Sequence, residues 1–433
     1  MRLASSVVIA GMLIVGCGSK SPAGGDDDGT SDGGGSNTGD GGGNGQTPTT
    51  ITVTMKHRPA NAAMYSFVVA YQDGAGPWTV APAPSGDVYS LPIYSPVYAV
   101  AWTCVGNAGQ LRQVSELQFA VSERTSLFVD VPARCTDALP TVALHGTITN
   151  AAILTNYVVK FGDRSAAVTQ QDTFTLQTPV GTHDLVLLAA GSINAGTDAI
   201  ASSALVVRNV TVSAAMDLTI DATNTEAVQS FSVDNLMGGT RDTATTLLYA
   251  NGTTAQLVTD ATPFYETESL AADQMVGSDI YDQQMTVAST AASTMSSVAT
   301  ATPGDLTWTE VPAIGAVTGT AITTPYPRVT STWAKYAGAV GYTWGATQLA
   351  TGGSVVWTAQ LSPAVVGDAG SYTMPDLSGV TGWNTALQMV AGKAVGGGVQ
   401  AMTSTGAGDF PPLVPPAVGT LRTTATGLFA VTP

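Results

Sequence analysis

The sequence has few charged residues, and most of them are acidic. Only 11% of its 433 residues are Asp, Glu, Lys or Arg, against about 25% in an average soluble protein. The formal net charge at pH 7 is −16, and Lys and Arg form no cluster anywhere along the chain. Because binding to a nucleic-acid backbone needs a basic cluster that neutralises phosphates, we expect no nucleic-acid partner.

Histidine and catalytic motifs are also scarce. The three histidines, His57, His145 and His183, lie far apart in sequence, and none pairs with another at the i, i+4 spacing of a helical zinc site. The one G-x-S-x-G match, residues 29–33, lacks the flanking strand and helix of a nucleophile elbow. We therefore expect no catalytic residue, no metal and no cofactor. A carboxylate pair that meets only in space escapes such spacing rules, so a hydrolase stays open as an alternative.

Long hydrophobic runs are absent except at the N-terminus. Arg2 is followed by an apolar run from Leu3 to Val15, which is shorter than the about 20 residues that span a bilayer. The run ends in Ile14-Val15-Gly16-Cys17, which resembles the bacterial lipobox. Residues 1–16 are thus predicted to be a lipoprotein signal peptide, removed before an acylated Cys17. An ordinary signal peptide followed by a chance cysteine is the alternative.

Acylation of Cys17 would anchor the protein to a lipid membrane, because two or more acyl chains hold a protein lastingly at a bilayer. Gly18 follows the cysteine, where retention at an inner membrane favours Asp. We expect a bacterial cell-envelope protein that is lipid-anchored at the outer membrane, with the face of that membrane left open.

Cysteine is limited to three residues. With Cys17 assigned to the lipid, Cys104 and Cys135 remain, and an even pair in an exported chain predicts one disulfide. Closing a loop of about 30 residues would stabilise the fold by roughly 3–4 kcal/mol. Two free thiols are the alternative.

Residues 17–50 contain little besides Gly, Asp, Ser, Thr and Asn. Such a segment cannot bury a core, and we predict that it is a disordered tether with a typical span of about 30 Å. Its Asp26-Asp27-Asp28 run lacks the ligand spacing of an EF-hand loop, so a solvated acidic spacer is favoured over a calcium site.

From residue 51 onward the sequence predicts β-strands. Ile51, Val53 and Met55 alternate with polar residues, which is the period of a half-buried strand. Similar runs recur every 8–15 residues, with Gly, Pro, Asn or Asp between them. The predicted fold class is all-β, built from tandem β-sandwich modules like separate beads. The stretch from Leu270 to Val298 fits either a helix or strands with loops.

An internal repeat defines the first two modules. Phe67–Tyr71 matches Tyr157–Phe161 at an offset of 90 residues, and Asp87–Leu91 matches Asp172–Leu176 at an offset of 85. Module 1 is therefore predicted to cover residues 51–137 and module 2 residues 138–227. Modules of just under 90 residues have the size of a seven-strand sandwich.

Module 2 resembles the transthyretin-like, carboxypeptidase-regulatory-like sandwich family. The resemblance rests on Val142–Ile148, whose Gly146 sits between hydrophobic residues, on Asp172–Leu176 and on the turn Pro179–His183. Module 1 departs from the pattern, since Pro96-Val97-Tyr98 replaces the turn without its glycine. The resemblance implies accessory sandwiches without catalytic residues.

Residues 321–433 resemble a fibronectin type III or immunoglobulin-like sandwich. Residues 228–320, which lie between module 2 and this segment, are predicted to form a third β module. The segments that carry the resemblance are Val329 to Trp333, Gly341 to Trp344, Tyr372 to Leu377, and a late hairpin of Leu387 to Ala391 with Gly398 to Met402.

Two loop tryptophans are the candidate ligand contacts. Trp78 follows Gly76-Pro77, and Trp383 follows Gly382. Such residues stack on sugar rings or anchor a protein partner, although each can instead plug the end of its module. We predict a non-enzymatic envelope lipoprotein with a structural, adhesive or ligand-binding role. A polysaccharide-binding component of an uptake or attachment system is the first alternative, and an envelope hydrolase the second.

Overall fold

The computed structural model confirms the all-β fold class. The residues that the structure describes form 29 β-strands, one α-helix of four residues and short 3₁₀ turns. The predicted signal peptide, the predicted acylation site Cys17 and nearly all of the predicted tether lie outside the described residues. These are 47–433 without 107–110, 137–140, 153–155, 163, 169–171, 195–197, 235–239, 249–253, 261–265, 278, 289–291, 308–310, 351, 407–409 and 411–415.

Module 1 is a sandwich of seven strands. They are β1 (Thr49–Lys56), β2 (Val69–Asp73), β3 (Thr79–Val80), β4 (Val88–Ile93), β5 (Val97–Val105), β6 (Leu111–Ala120) and β7 (Ser126–Asp130). One layer has the order β4-β1-β7, in which β1 and β7 run parallel, and the other has the order β3-β2-β5-β6. The predicted disulfide is present between Cys104 in β5 and Cys135, which ends the 3₁₀ turn Ala133–Cys135.

Module 2 repeats this arrangement. Its strands are β8 (Thr141–Thr149), β9 (Asn156–Phe161), β10 (Arg164–Val168), β11 (Thr173–Pro179), β12 (Gly181–Asn194), β13 (Asp198–Val212) and β14 (Met216–Asp221). The layers are β11-β8-β14, with β8 and β14 parallel, and β10-β9-β12-β13. A 3₁₀ turn, Ala222–Asn224, leads to β15 (Glu226–Ala227), which pairs with β13.

Module 3 has the same strand order, although its sequence shows the repeat poorly. Its strands are β16 (Gln229–Asp234), β17 (Thr240–Leu248), β18 (Thr254–Asp260), β19 (Glu266–Ser269), β20 (Ile280–Ala288), β21 (Ala292–Thr300) and β22 (Leu306–Thr307). The layers are β19-β16-β22, with β16 and β22 parallel, and β18-β17-β20-β21. The ambiguous stretch from residue 270 to 298 thus forms the 3₁₀ turn Ala272–Gln274 and two strands.

Module 4 follows a different order. Its strands are β23 (Thr318–Ile322), β24 (Arg328–Thr332), β25 (Gly341–Ala350), β26 (Gly353–Leu361), β27 (Ser371–Thr373), β28 (Val395–Ser404) and β29 (Leu421–Val431), with a short helix α1 (Pro363–Val366). The layers are β23-β24-β27 and β26-β25-β28-β29. The predicted hairpin from Leu387 is wrong, because Leu387 ends a 3₁₀ turn, Thr385–Leu387, and β28 pairs with β29.

Three modules share one continuous sheet of twelve strands. Its order is β18-β17-β20-β21-β29-β28-β25-β26-β6-β5-β2-β3. Module 4 therefore lies between module 3, through the antiparallel pair β21 and β29, and module 1, through the parallel pair β26 and β6. This corrects the expectation of separate beads. Without this pairing, β6, β21, β26 and β29 would be edge strands with exposed backbone N–H and C=O groups, and the pairing provides hydrogen-bond partners for these groups.

Module 2 packs against module 3 through side chains. A buried apolar cluster contains Val158, Val186 and Leu188 of module 2 with Leu270 and Tyr281 of module 3. An ion triad crosses the same boundary. Arg208 donates to Asp184 at 2.9 Å and to Asp279 at 2.6 Å, and both carboxylates are nearly buried. The four modules thus form one packed body.

Candidate functional site

A cleft of about 590 Å³ lies where module 1 meets module 4. This volume falls within the range of about 300–1,000 Å³ that small-molecule sites occupy. Module 1 contributes its β2–β3 loop and the outer face of its four-stranded layer, and module 4 contributes β24 and the segment after β27. The lining residues are Gln72, Gly76, Pro77, Trp78, Glu116, Gln118, Arg328 and Thr373 to Asp376 with Ser378, Gly379 and Val380.

The floor of the cleft comes from the alternation of side chains along β6. Leu117 and Phe119 point into the core of module 1, so that Glu116 and Gln118 project from the opposite face. Register places Ala99 of β5 beside Gln118. Ala99 is small and buried, and its register neighbours Gln72 and Gln118 are the side chains that line the cleft here.

The rim on the module 1 side is the turn that carries Trp78. The Gln72 side-chain amide donates to the Gly76 carbonyl at 2.7 Å, and the Gly76 N–H donates to the Asp73 carbonyl at 2.9 Å. The half-buried Trp78 packs against the core cluster shared by modules 1 and 4. These contacts fix the position of the indole at the cleft.

The opposite wall is the segment that follows β27. The hydroxyl of Tyr326 donates to the Pro375 carbonyl at 3.0 Å and accepts from the Leu377 N–H at 3.2 Å. Asp376 is exposed, and its Oδ1 accepts from the backbone and hydroxyl of Ser378 at 3.0 and 2.6 Å. This wall therefore presents a carboxylate on a well-braced backbone.

Arg328 brings the positive charge among the lining residues, but its guanidinium is already engaged. Nη1 donates to the Met374 carbonyl at 3.2 Å, and Nη2 donates to the Thr324 carbonyl at 2.9 Å. The guanidinium carbon also lies 5.6 Å from the centre of the Tyr326 ring. Arg328 thus braces the wall of the cleft.

Glu116 is the unusual titratable group of the site. Its side chain is buried, Gln118 donates to its Oε1 at 2.6 Å, and the Tyr372 hydroxyl of module 4 donates to its Oε2. Burial raises the pKa of Glu116 to about 7, while the hydrogen bonds from Gln118 and Tyr372 act in the opposite direction. Burial beside this carboxyl also raises the pKa of Tyr372. The boundary between the modules therefore contains a carboxyl that titrates near neutral pH.

The structure separates the two predicted tryptophans. Trp383 is half-buried and packs between Tyr326 and Trp357, with ring centres 6.1 and 6.0 Å away. No described residue accepts a hydrogen bond from its indole N–H. Trp383 therefore covers the core of module 4, and Trp78 is the tryptophan that lines the cleft.

The three histidines lie in different surroundings. His57 contacts Asp130 at 2.8 Å, His145 contacts Thr175 at 3.0 Å, and His183 packs edge-on against Phe161 at 5.3 Å. Among the described residues, no group of three His, Cys, Asp or Glu side chains is placed to hold a metal. In the same part of the chain, no helix has the length and apolar character to cross a membrane.

Sequence reasoning missed Glu116, Gln118 and Asp376. Glu116 shares its strand with several other polar residues, such as Gln113 and Ser115, so the sequence gave no local signal that this carboxyl is buried. Asp376 gave no signal, because its role depends on the distant β6.

No family model matches the chain, and a search of curated proteins finds none that matches. The family resemblances therefore rest on the residues and the strand orders described above.

Proposed function

We propose that the protein is a non-enzymatic lipoprotein of a bacterial cell envelope that binds a ligand in the cleft between modules 1 and 4. The cleft carries this proposal, because two modules build it together and are joined edge to edge in one continuous sheet, although their nearest lining residues, Gln118 and Arg328, lie 210 positions apart in sequence. A site on a shared sheet keeps its shape before the ligand arrives, which lowers the cost of binding.

The strand orders support the proposed relationships of the modules. The first and last strands of modules 1 and 2 pair in parallel, which supports a transthyretin-like origin for both modules. The first and last strands of module 3 pair in the same way, so the same origin is proposed for module 3. The antiparallel layers β23-β24-β27 and β26-β25-β28-β29 support a fibronectin type III-like module 4. Such sandwiches serve as rigid scaffolds whose loops carry recognition, which agrees with the position of Trp78.

A cleft-filling substitution tests the proposal. Gly379 lines the cleft, and a Cβ atom added there would meet nothing within 4 Å, so we expect Gly379→Trp to place its indole in the cleft without disturbing the backbone. Gly277 in module 3 is equally open and gives the matched control Gly277→Trp. We expect small molecules released from bacterial envelopes to give ligand-detected NMR signals with the wild-type protein and with Gly277→Trp.

Loss of those signals in Gly379→Trp alone would support the proposed site. Equal signals in all three proteins would place binding elsewhere and contradict it. A complete lack of signal with the wild-type protein would favour the structural or adhesive role, in which the cleft has no ligand.

One observation favours a second candidate, an envelope hydrolase. Glu116 and Asp376 both line the cleft, and glycosidases combine an acid whose pKa is raised by burial with a second, ionised carboxylate. Both oxygens of Glu116, however, already accept hydrogen bonds from the protein, which leaves it poorly placed to protonate a substrate. Release of new reducing ends from polysaccharides, lost in Asp376→Asn, would favour this candidate over binding alone.

A further inference from the structure

We infer that the cleft between modules 1 and 4 recognises a neutral carbohydrate. The inference rests on the proposed function and names the ligand class of the same site. Three features of the cleft support a neutral carbohydrate. They are one aromatic face, a set of amide, hydroxyl and carboxylate groups, and the distribution of charge.

The aromatic face is supplied by Trp78. Indole rings pack against the C–H faces of sugar rings, and this requires a tryptophan that is fixed but still partly open to solvent. Trp78 meets both conditions, since it is half-buried against the shared core and follows the braced turn at Gly76. The exposed Pro77 beside it extends the apolar rim.

The polar groups lie opposite this face at the depth of the β-sheet. Gln72 and Gln118 project from β2 and β6, on either side of Ala99. Asp376 and Ser378 stand on the module 4 wall. Each glutamine gives one N–H to the protein, Gln72 to the Gly76 carbonyl and Gln118 to Glu116. An amide also has a second N–H and a carbonyl oxygen, and a carboxylate has two acceptor oxygens, so the set suits neighbouring hydroxyl groups that donate and accept together.

The charges in the cleft disfavour an anionic ligand. Asp376 is exposed, and Arg328, the cationic residue that lines the cleft, donates to two backbone carbonyls. The chain as a whole has a formal net charge of −16. A phosphorylated, sulfated or uronic sugar would therefore meet the charge of Asp376 and the net charge of the chain, and the cation that lines the cleft, Arg328, turns its two terminal nitrogens toward the wall.

A cationic ligand is also poorly matched. A buried ammonium group needs a carboxylate whose oxygens are available to it. Glu116, the buried carboxyl of the cleft, accepts from Gln118 and Tyr372, and Asp376 is exposed to solvent instead of buried. The remaining donors and acceptors favour an uncharged polyhydroxyl ligand.

The test uses the full mature chain in detergent and three sets of soluble oligosaccharides. The neutral set contains gluco-, xylo-, manno- and galacto-oligosaccharides, the anionic set oligogalacturonates, and the cationic set chitosan oligomers. Binding is measured by titration calorimetry. We expect at least one neutral oligosaccharide to bind, and neither charged set to bind more tightly.

Two variants and a control locate the binding. Trp78→Ala and Gln118→Ala are each expected to raise the dissociation constant of the neutral ligand by about tenfold. Tyr94→Ala is the matched aromatic control, because Tyr94 is 53% exposed and does not line the cleft. Near-ultraviolet circular dichroism checks that every variant keeps its fold.

Tighter binding of a charged oligosaccharide, weakened by Trp78→Ala and blocked by Gly379→Trp, would overturn the carbohydrate class but leave the proposed binding cleft standing. Binding of a neutral sugar that none of the cleft variants changes would overturn both. A lack of binding to all three sets, with envelope-derived small molecules still bound by the wild-type protein, would overturn the carbohydrate inference alone.

Discussion

At the scale of single residues, the buried carboxyl of Glu116 links chemistry to the packing of two modules. It belongs to β6 of module 1, and its partner Tyr372 belongs to β27 of module 4. Ionising it places a negative charge at this boundary, where solvent cannot stabilise the charge. The state of one proton therefore affects how well the two modules fit together.

We predict that stability falls as pH rises from about 4.5 to about 7, the span between the ordinary pKa of a glutamate and the raised pKa of Glu116. In this range the unfolded chain loses the proton and the folded chain keeps it, so ionisation favours unfolding. The contribution of Glu116 is fully present below about pH 4.5 and is lost as pH passes about 7. The total loss is roughly 3 kcal/mol.

The variant Glu116→Gln removes this titration. Urea unfolding over the same pH range should show a flatter profile for Glu116→Gln than for the wild-type protein. Glu123→Gln, at an exposed glutamate that follows β6, is the matched control and should keep the wild-type slope. Parallel profiles for Glu116→Gln and the wild-type protein would contradict the prediction.

The disulfide is a second feature at this scale. Cys104 and Cys135 are buried, and their bond closes a loop with a sequence separation of 31 residues. We predict that Cys104→Ala with Cys135→Ala lowers the free energy of unfolding by roughly 3–4 kcal/mol, measured by urea unfolding. Without reductant, a maleimide should label neither cysteine in the folded or the unfolded chain, and ready labelling of both would refute the pairing.

At the scale of strands, close packing explains the glycine in the opening strand of module 2. Gly146 in β8 pairs with Phe174 in β11, and a Cβ atom at Gly146 would lie 2.0 Å from the Phe174 ring. Gly146 is therefore needed at this position, because the ring of Phe174 packs directly over its Cα atom and leaves no room for a side chain.

We predict that Gly146→Ala destabilises module 2 by about 1–3 kcal/mol, because the Phe174 ring must leave its position. Thermal unfolding followed by circular dichroism measures the effect. The double variant Gly146→Ala with Phe174→Leu should recover part of the loss, since leucine lacks the ring atoms that clash. No recovery would show that the contact with Phe174 is not the cause.

At the scale of the whole molecule, edge pairing turns four sandwiches into one body. The parallel pair β26 and β6 places the segment after β27 over the outer face of module 1, which creates the cleft. Buried hydroxyls of Ser115 and Thr358, 2.9 Å apart, join these strands. We propose that the predicted tether, residues 17–50, holds this body at a distance from a bilayer.

We predict that Cys17→Ser abolishes labelling with a radioactive or clickable fatty acid and moves the protein from membrane to soluble fractions. The expected cause is the loss of the acyl chains, since two or more are needed for lasting attachment. Cys104→Ser, which leaves the acylation site intact, is the control and should keep the label. Unchanged membrane partitioning of Cys17→Ser would refute the lipid anchor.

The sequence by itself determined the local structure. Alternation such as Ile51, Val53 and Met55 fixed the strands, because each such face must be buried. The even pair Cys104 and Cys135 was sufficient to predict the disulfide. The repeat in module 3 was missed, since β-sandwich cores tolerate many apolar residues and loops vary in length.

Only the tertiary structure decided which modules touch and where a site forms. The pairing of β6 with β26 joins residues about 240 positions apart through backbone hydrogen bonds, which carry no sequence signature. Glu116, Gln118 and Asp376 come together only when modules 1 and 4 pack, through this strand pairing and the apolar core that the two modules share. The alternation that predicts a strand involves residues next to one another in the chain. The contact of two sheet edges joins residues far apart in the chain, so the sequence pattern does not predict it.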